Sequence, residues 1–282
     1  MTGKQIVFQF YRNLKNKYNT MFIKIIINKL LDRNMDKYKQ ILIQLIQECG
    51  GLVEDDLYVV EPGCKIMHTS EVAITTQNLF DKLNISNERD YENIGEFNAR
   101  LCYLSFSNSN NTNINDKLIE LGHLSIYNDI CVTFLISGIS DEVLKEFTAH
   151  CEAKISRLTS SKTKAMCQTL YRVYGSTEQI AKQKKYIQQF LELRRQYLDN
   201  NNDDIEMQNM FNLGMKCTAF TFSMNLKDYH KLFIGRIPEK GNESDIRLMC
   251  MKMCKMLHAL YPKVIRDVDY YMGSSNSEKY KI

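Results

Sequence analysis

The sequence predicts an α/β fold, one main domain led by a helical segment, and three observations carry that prediction. Asp129 to Ser137 concentrates Ile, Val, Thr and Phe, as a half-buried strand does. Apolar residues recur at helical spacing in Tyr38 to Glu48 and in Thr177 to Tyr197. Glycine-bearing or polar breaks at Cys49-Gly50-Gly51, Ser107 to Asn115 and Asn200 to Asp204 separate the patterned stretches.

Residues 1 to 57 read as an N-terminal helical extension with helices at Lys4 to Leu14 and Tyr38 to Glu48. The second places Tyr38, Ile41, Leu42, Leu45 and Ile46 on one stripe, a face suited to docking on the main domain or on a partner. Leu57 to Val60 and Lys65 to Met67 read as extended. Ser70 to Leu83 reads as a helix with Ser70 as N-cap and Glu71 in its first turn. Lys117 to Leu121 is a short helix ended by Gly122, and Gly138 turns the chain after the strand. Ser140 then caps a helix whose Asp141 and Glu142 favour its N-terminal dipole and which runs to about Ile155. Thr177 to Tyr197 is a long helix with Ile180, Ile187, Phe190, Leu191 and Leu193 as its apolar side. Met207 to Asn225 and Glu243 to Leu260 read as two more helices joined by Leu226 to Ile237. The main domain is expected over 58 to 268, with 269 to 282 a flexible tail.

Composition narrows the function classes. The 282 residues are 44% hydrophobic and 25% charged, enough for a sizeable core and unlike a disordered chain, a coiled coil or a collagen. The aliphatic run Met21 to Leu31 is shorter than a bilayer requires and is interrupted by Lys24 and Lys29, so no membrane span is expected. Lys4, Arg12, Lys15 and Lys17 stand among Asn and Tyr with no apolar block of a secretory signal. Nine scattered cysteines, several within apolar runs (Cys131, Cys217, Cys254), fit reduced core residues in the cytoplasm or another reducing intracellular compartment. A net charge of +4, spread over the chain, argues against a nucleic-acid partner. Abundant Asn, Ile and Lys with no Trp point to an AT-rich genome, such as that of a virus or protist.

No metal site is expected. Cys250, Cys254 and His258 share one helical face, but on a straight helix they span about 12 Å, too far for one ion. The Met249, Met253, Met256 and Leu257 that crowd the same helix make it core. His150 and Cys151 are adjacent on a helix and point about 100° apart, which prevents the direct hydrogen bond of a Cys–His pair.

Several segments, in order, resemble the flavin-dependent thymidylate synthases. Asn98-Ala99-Arg100-Leu101-Cys102-Tyr103 is similar to that family's Ala-Ala-Arg segment. Gly122-His123-Leu124-Ser125 with the strand Ile130 to Ser137 resembles its Gly-His-x-Ser/Thr stretch and following Phe-Thr-Phe strand. Thr221 to Lys227, with Arg236 eleven residues after Asn225, resembles its Asn-x-Arg segment and later nucleotide-binding Arg. Asp245-Ile246-Arg247, the helix to Leu260 and Tyr261-Pro262 resemble its Glu-Ile-Arg helix and closing Pro. The resemblance covers roughly 58 to 265, and it implies the family's α/β fold, FAD as cofactor, deoxyuridylate as substrate and a homotetramer with flavin sites between subunits.

The family's Arg-His-Arg motif is degraded. At its place stand Ala149-His150-Cys151, then Lys154, Ser156-Arg157, Thr159 and Ser161-Lys162. The family's further Arg before its Asn-x-Arg segment would fall near Asn209. An Arg fork on a phosphate makes paired charge-assisted bonds worth about 1.5–3 kcal/mol each, which Ala, Cys and Asn cannot replace. The resemblance therefore implies cofactor contacts at His123, Ser125, His150 and Asn225, substrate contacts at Arg236, Lys154, Arg157 and Lys162, and a catalytic hydroxyl only weakly at Thr159. Three readings follow: a diverged, catalytically impaired member kept for assembly or for binding a nucleotide-like anion; a working FAD-dependent enzyme on dUMP or a related pyrimidine nucleotide, with Lys154, Arg157 and Lys162 replacing the arginines; and a purely structural oligomer, for instance of a virus particle, contacting its partners through residues 1 to 57.

Overall fold

The computed structural model describes residues 39–70, 74–103, 105–106, 114–150, 153–157, 170–199, 217–238 and 244–273. Two sheets organise them. The larger is four-stranded and antiparallel, formed by β3 (Gly63–Thr69), β4 (Cys131–Ser140), β5 (Lys154–Arg157) and β7 (Cys217–Asn225) in the order β3-β4-β7-β5. The smaller joins β1 (Leu52–Glu54), β2 (Tyr58–Glu61) and β6 (Tyr171–Arg172) in the order β1-β2-β6, with β2 and β6 parallel. The α/β class expected from the sequence is what the chain adopts.

One face of the larger sheet is apolar because its strands alternate. Val132, Phe134 and Ile136 on β4 and Phe220, Phe222 and Met224 on β7 are buried on that side. Helices α5 (Asp141–His150), α7 (Leu226–Arg236) and α8 (Ser244–Leu260) share one core with them. Phe147 of α5 packs on Phe220 and Phe222, with the Phe222 ring edge-on at 5.2 Å. Tyr229 of α7 is fully buried, and its hydroxyl donates to the carbonyls of Val132 at 3.0 Å and Phe222 at 3.3 Å, which satisfies its polar end. Around this core run α2 (Ile74–Lys82), α3 (Asp90–Tyr103), α4 (Ile114–Glu120), a 3-10 turn (Leu124–Tyr127) and α9 (Val268–Gly273), while α6 (Thr177–Asp199) packs Ile187 against Tyr58 and Tyr171 of the smaller sheet.

Helix α1 (39–48) docks on the main domain, in the first of the two ways its stripe allowed. Leu42, Ile43 and Ile46 bury against Val59, Leu170, Cys217 and Ala219. Ser137 Oγ donates to the carbonyl of Leu45 at 3.3 Å. At Gly138 (φ +82°) an added Cβ would stand 2.9 Å from Val59 Cγ1, so only glycine lets α1, β2 and β4 close on one another there.

Several sequence expectations change. Gly138 lies inside β4, where the β4–β7 register shifts between Ser137 and Ile139, so it forms a bulge and no turn. The helix capped by Ser140, whose Oγ accepts from Val143 N at 3.3 Å, ends at His150, and Ile155 lies on β5. Residues 217–225 of the expected helix Met207 to Asn225 are a strand, because Phe220, Phe222 and Met224 bury at a period of two. The stretch after it, expected as a connection, is α7. Ser70 Oγ accepts from Cys131 N at 2.9 Å and so bonds β4, and the helix expected from Ser70 is described from Ile74 to Lys82. Residues 269–273, placed in a flexible tail, are helical because Tyr271 is buried in the core. Lys4 to Leu14, Asn200 to Asp204 and residues 274–282 lie outside the described residues.

Candidate functional site

The larger sheet's second face differs in character from the first. Directly paired residues on adjacent strands share a face, so His68, Thr133, Ser223 and Lys154 form one row across all four strands. Lys65, Leu135, Thr221 and Ser156 form the next. Helix α1 covers this face only near Ser137 and Leu135. Beyond it, His68, Lys154 and Ser156 are exposed and Thr133, Thr221 and Ser223 half-buried. Thr133 Oγ1 donates to Ser223 Oγ at 3.0 Å. Lys154 makes no ion pair or side-chain hydrogen bond with the described residues, so its charge is available to an anion beside a row of hydroxyls.

The predicted site residues do not gather in one place. Lys154 and Arg157 are an odd number of positions apart on β5 and therefore point to opposite faces. Lys154 opposes Ser223 on the open face, whereas Arg157 opposes the buried Phe220 on the helix-covered side, at the exposed end of the strand. Arg236 lies on that side too, at the end of α7, and reaches Glu146 of α5 at 3.9 Å. Asn225 continues the Ser223 side of β7 in register, but its side chain is engaged: Oδ1 accepts from Asp228 N at 2.9 Å as the N-cap of α7, and Nδ2 donates to Asp228 Oδ2 at 2.8 Å. His123 and Ser125 are exposed on the stretch after α4, where His123 N bonds Leu118 O at 2.8 Å past Gly122 (φ +76°) to end the helix. His150 is the last residue of α5, next to the exposed Ala149. Thr159, Lys162 and Asn209 lie outside the described residues.

Two partners escaped the sequence reading. Asp228 and Glu146 each fix a predicted site residue; Asp228 sits three residues after Asn225 at the start of α7, a local capping pattern, whereas no local pattern marks Glu146, which binds across two helices. The Thr133–Ser223 pair had a readable signal, the Thr-Phe-Ser-Met alternation of 221–224.

The segment Asn98 to Arg100 is structural in its contacts. Asn98 Nδ2 donates to Ile126 O at 2.8 Å and Asp129 Oδ2 at 3.1 Å, tying α3 to the 3-10 turn. Buried Arg100 holds Glu96 at 2.6 Å, one turn back. Among the described residues no cluster of His, Cys, Asp and Glu could hold a metal. Cys250 and Cys254 are buried, burial pushes the Cys254 thiol up to about 12, and His258 Nδ1 lies 2.8 Å from Ile265 O. No described helix is long and apolar enough to cross a membrane.

An antiparallel sheet roofed by helices on one side, with a hydroxyl row and Lys154, unpaired among the described residues, on the other, defines the α/β architecture of the chain. A model of the thymidylate synthase complementing protein family matches residues 84–263. The chain belongs to that family. Among solved structures, thymidylate synthase X from Helicobacter pylori with FAD and dUMP aligns with a TM-score of 0.52 at 15% identity, over 75% of this chain and 99% of that one. The UMP/dUMP methylase PolB from Streptomyces cacaoi, bound with 5-Br UMP, aligns with a TM-score of 0.52 at 10% identity, over 76% of this chain and 96% of that one. At such identities these likenesses speak to the fold. No curated protein sequence matches the chain.

Proposed function

We propose that this protein is an oligomeric member of the thymidylate synthase complementing family that binds a nucleotide-like anion on the open face of its larger sheet, with methyl transfer to dUMP impaired. One observation supports it above the others. Of the cations that would have to replace the lost arginines, Lys154 and Arg157 stand on opposite faces of β5 and cannot clamp one phosphate together, and Lys162 lies outside the described residues. Lys154 alone offers a point charge, and the Thr133 and Ser223 hydroxyls beside it add neutral donors. That set suits capture of an anion better than the fixed geometry that transfer chemistry demands.

The same donors fit the phosphates of FAD, which when bound would supply reducing equivalents to the transfer. Lys154 would meet its charge, and Asn225 would need to leave Asp228 to take part. A second copy of the chain is the natural cover for an open sheet face, in keeping with the intersubunit sites that the resemblance implies. Thermal-shift measurements with FAD and dUMP, beside a tritium-release assay on dUMP with reduced flavin, test the reading. Stabilisation without tritium release is the expected result. Ordinary turnover would overturn the impaired reading, and absence of any shift would overturn the binding one.

A further inference from the structure

A cavity of about 300 Å³ lies in the helical layer, on the other side of the larger sheet from the open face. Its walls come from the end of α4, the stretch after it, α7 and the segment leading to α9. Ile119, Leu121, Leu124, Ile234 and Val264 supply its aliphatic part. His230, Arg266, Glu120 and Tyr270 supply the polar groups. The volume is at the small end of the range of ligand sites, which typically combine an apolar body with a few placed polar groups.

The polar groups are not spent on one another. Arg266 is exposed, and its guanidinium makes no ion pair or hydrogen bond with the described residues; Glu120, also at the cavity, makes none either. His230 is held from behind. Its Nδ1 lies 2.7 Å from Tyr271 Oη, and their rings meet edge-on with centroids 5.5 Å apart. Tyr271 Oη also accepts from the Arg266 backbone N–H at 3.3 Å. Burial, and then the Arg266 charge, pull His230 down to about 4, so the ring is neutral at pH 7.

We infer that this cavity is a ligand site for a small organic anion, a carboxylate on an aromatic or branched apolar body, with Arg266 meeting the charge and the aliphatic walls the body. Arg266 sets the preference for an anion, because its guanidinium is unpaired among the described residues and no ion pair joins it to Glu120. The inference is independent of the anion-binding reading of the sheet face, and its probes differ.

Benzoate, with benzamide and benzylammonium as isosteres of other charge, is the probe set, read by the ring resonances of His230, which His230→Gln identifies. Saturable shifts of those resonances by benzoate at millimolar concentration are expected, with benzamide at least about tenfold weaker for want of a charge-assisted bond. Arg266→Gln, at an exposed position, should leave the unliganded melting temperature unchanged and weaken benzoate about tenfold while sparing benzamide. The His230 pKa should rise in the benzoate complex, because the bound charge offsets that of Arg266. Unmoved resonances would overturn the site. Equal binding of benzoate and benzamide, indifference to Arg266→Gln, or preference for benzylammonium would overturn its anion selectivity. Neither dUMP nor FAD should displace benzoate; displacement would merge this cavity with the nucleotide reading and sink the inference.

Discussion

Arg157 and Arg172 carry the same guanidinium and occupy opposite worlds. Arg172 on β6 is buried and fully engaged: Nε and Nη2 donate to the two carboxylate oxygens of Asp245 at 2.8 and 2.6 Å, and Nη1 to the carbonyls of Val59, Val60 and Val173. That fork locks the smaller sheet to the first turn of α8. Arg157 stands exposed at the end of β5 with no partner among the described residues. A buried arginine held by a carboxylate fork and backbone carbonyls is structural, because freeing it would strand a desolvated charge. An exposed, unpaired cation costs the fold nothing and remains available to a ligand.

The largest way to break that contrast is Asp245→Ala. It leaves the Arg172 charge buried and unpaired, and should lower unfolding free energy in urea by about 3–5 kcal/mol. The double replacement Arg172→Met with Asp245→Leu should recover a good part of the loss. A small effect of Asp245→Ala would mean that the fork is not needed to hold α8.

Burial governs His230 in the same way. Its pKa of about 4 in the folded protein lies below its ordinary value near 6.5, so the unfolded chain binds the proton more readily. Stability should be complete above about pH 6.5, fall as pH drops through that window and level off below about pH 4, by at most about 3 kcal/mol. His230→Gln should flatten this part of the curve.

Gly138→Ala comes next, at about 1–3 kcal/mol, from a positive φ and the close Val59 methyl. It tests whether α1 belongs to the cooperative unit, since Ile46 also lines that contact. The smallest effects on stability belong to the exposed cations. Lys154→Ala and Arg157→Ala should each stay within about 0.5 kcal/mol of the parent. They should part in binding, with dUMP about tenfold weaker for Lys154→Ala and unchanged for Arg157→Ala, because only Lys154 stands on the open face. Equal losses would show that both cations reach one ligand.

Much of the fold was legible in the chain. The 39–48 and 177–199 helices, the Ser140 cap and the end of α4 at Gly122 were local signals of periodicity and capping, which neighbouring residues alone can set. The strand at 217–225 was misread as helix although Phe220, Phe222 and Met224 alternate, because a short apolar run satisfies either period until a partner strand selects one. The error at β5 mattered most for the site. The expected helix ran to about Ile155, whereas Lys154 to Arg157 is a strand, on which 154 and 157 face opposite sides.

The residues themselves thus determined the class of fold and the family resemblance, since identity and short-range spacing are written in the chain. Which cations are unpaired among the described residues, which face each one takes and that Arg236 is held by Glu146 were decided by packing. Facing depends on strand pairing and on contacts between elements distant in sequence, and no local pattern encodes them.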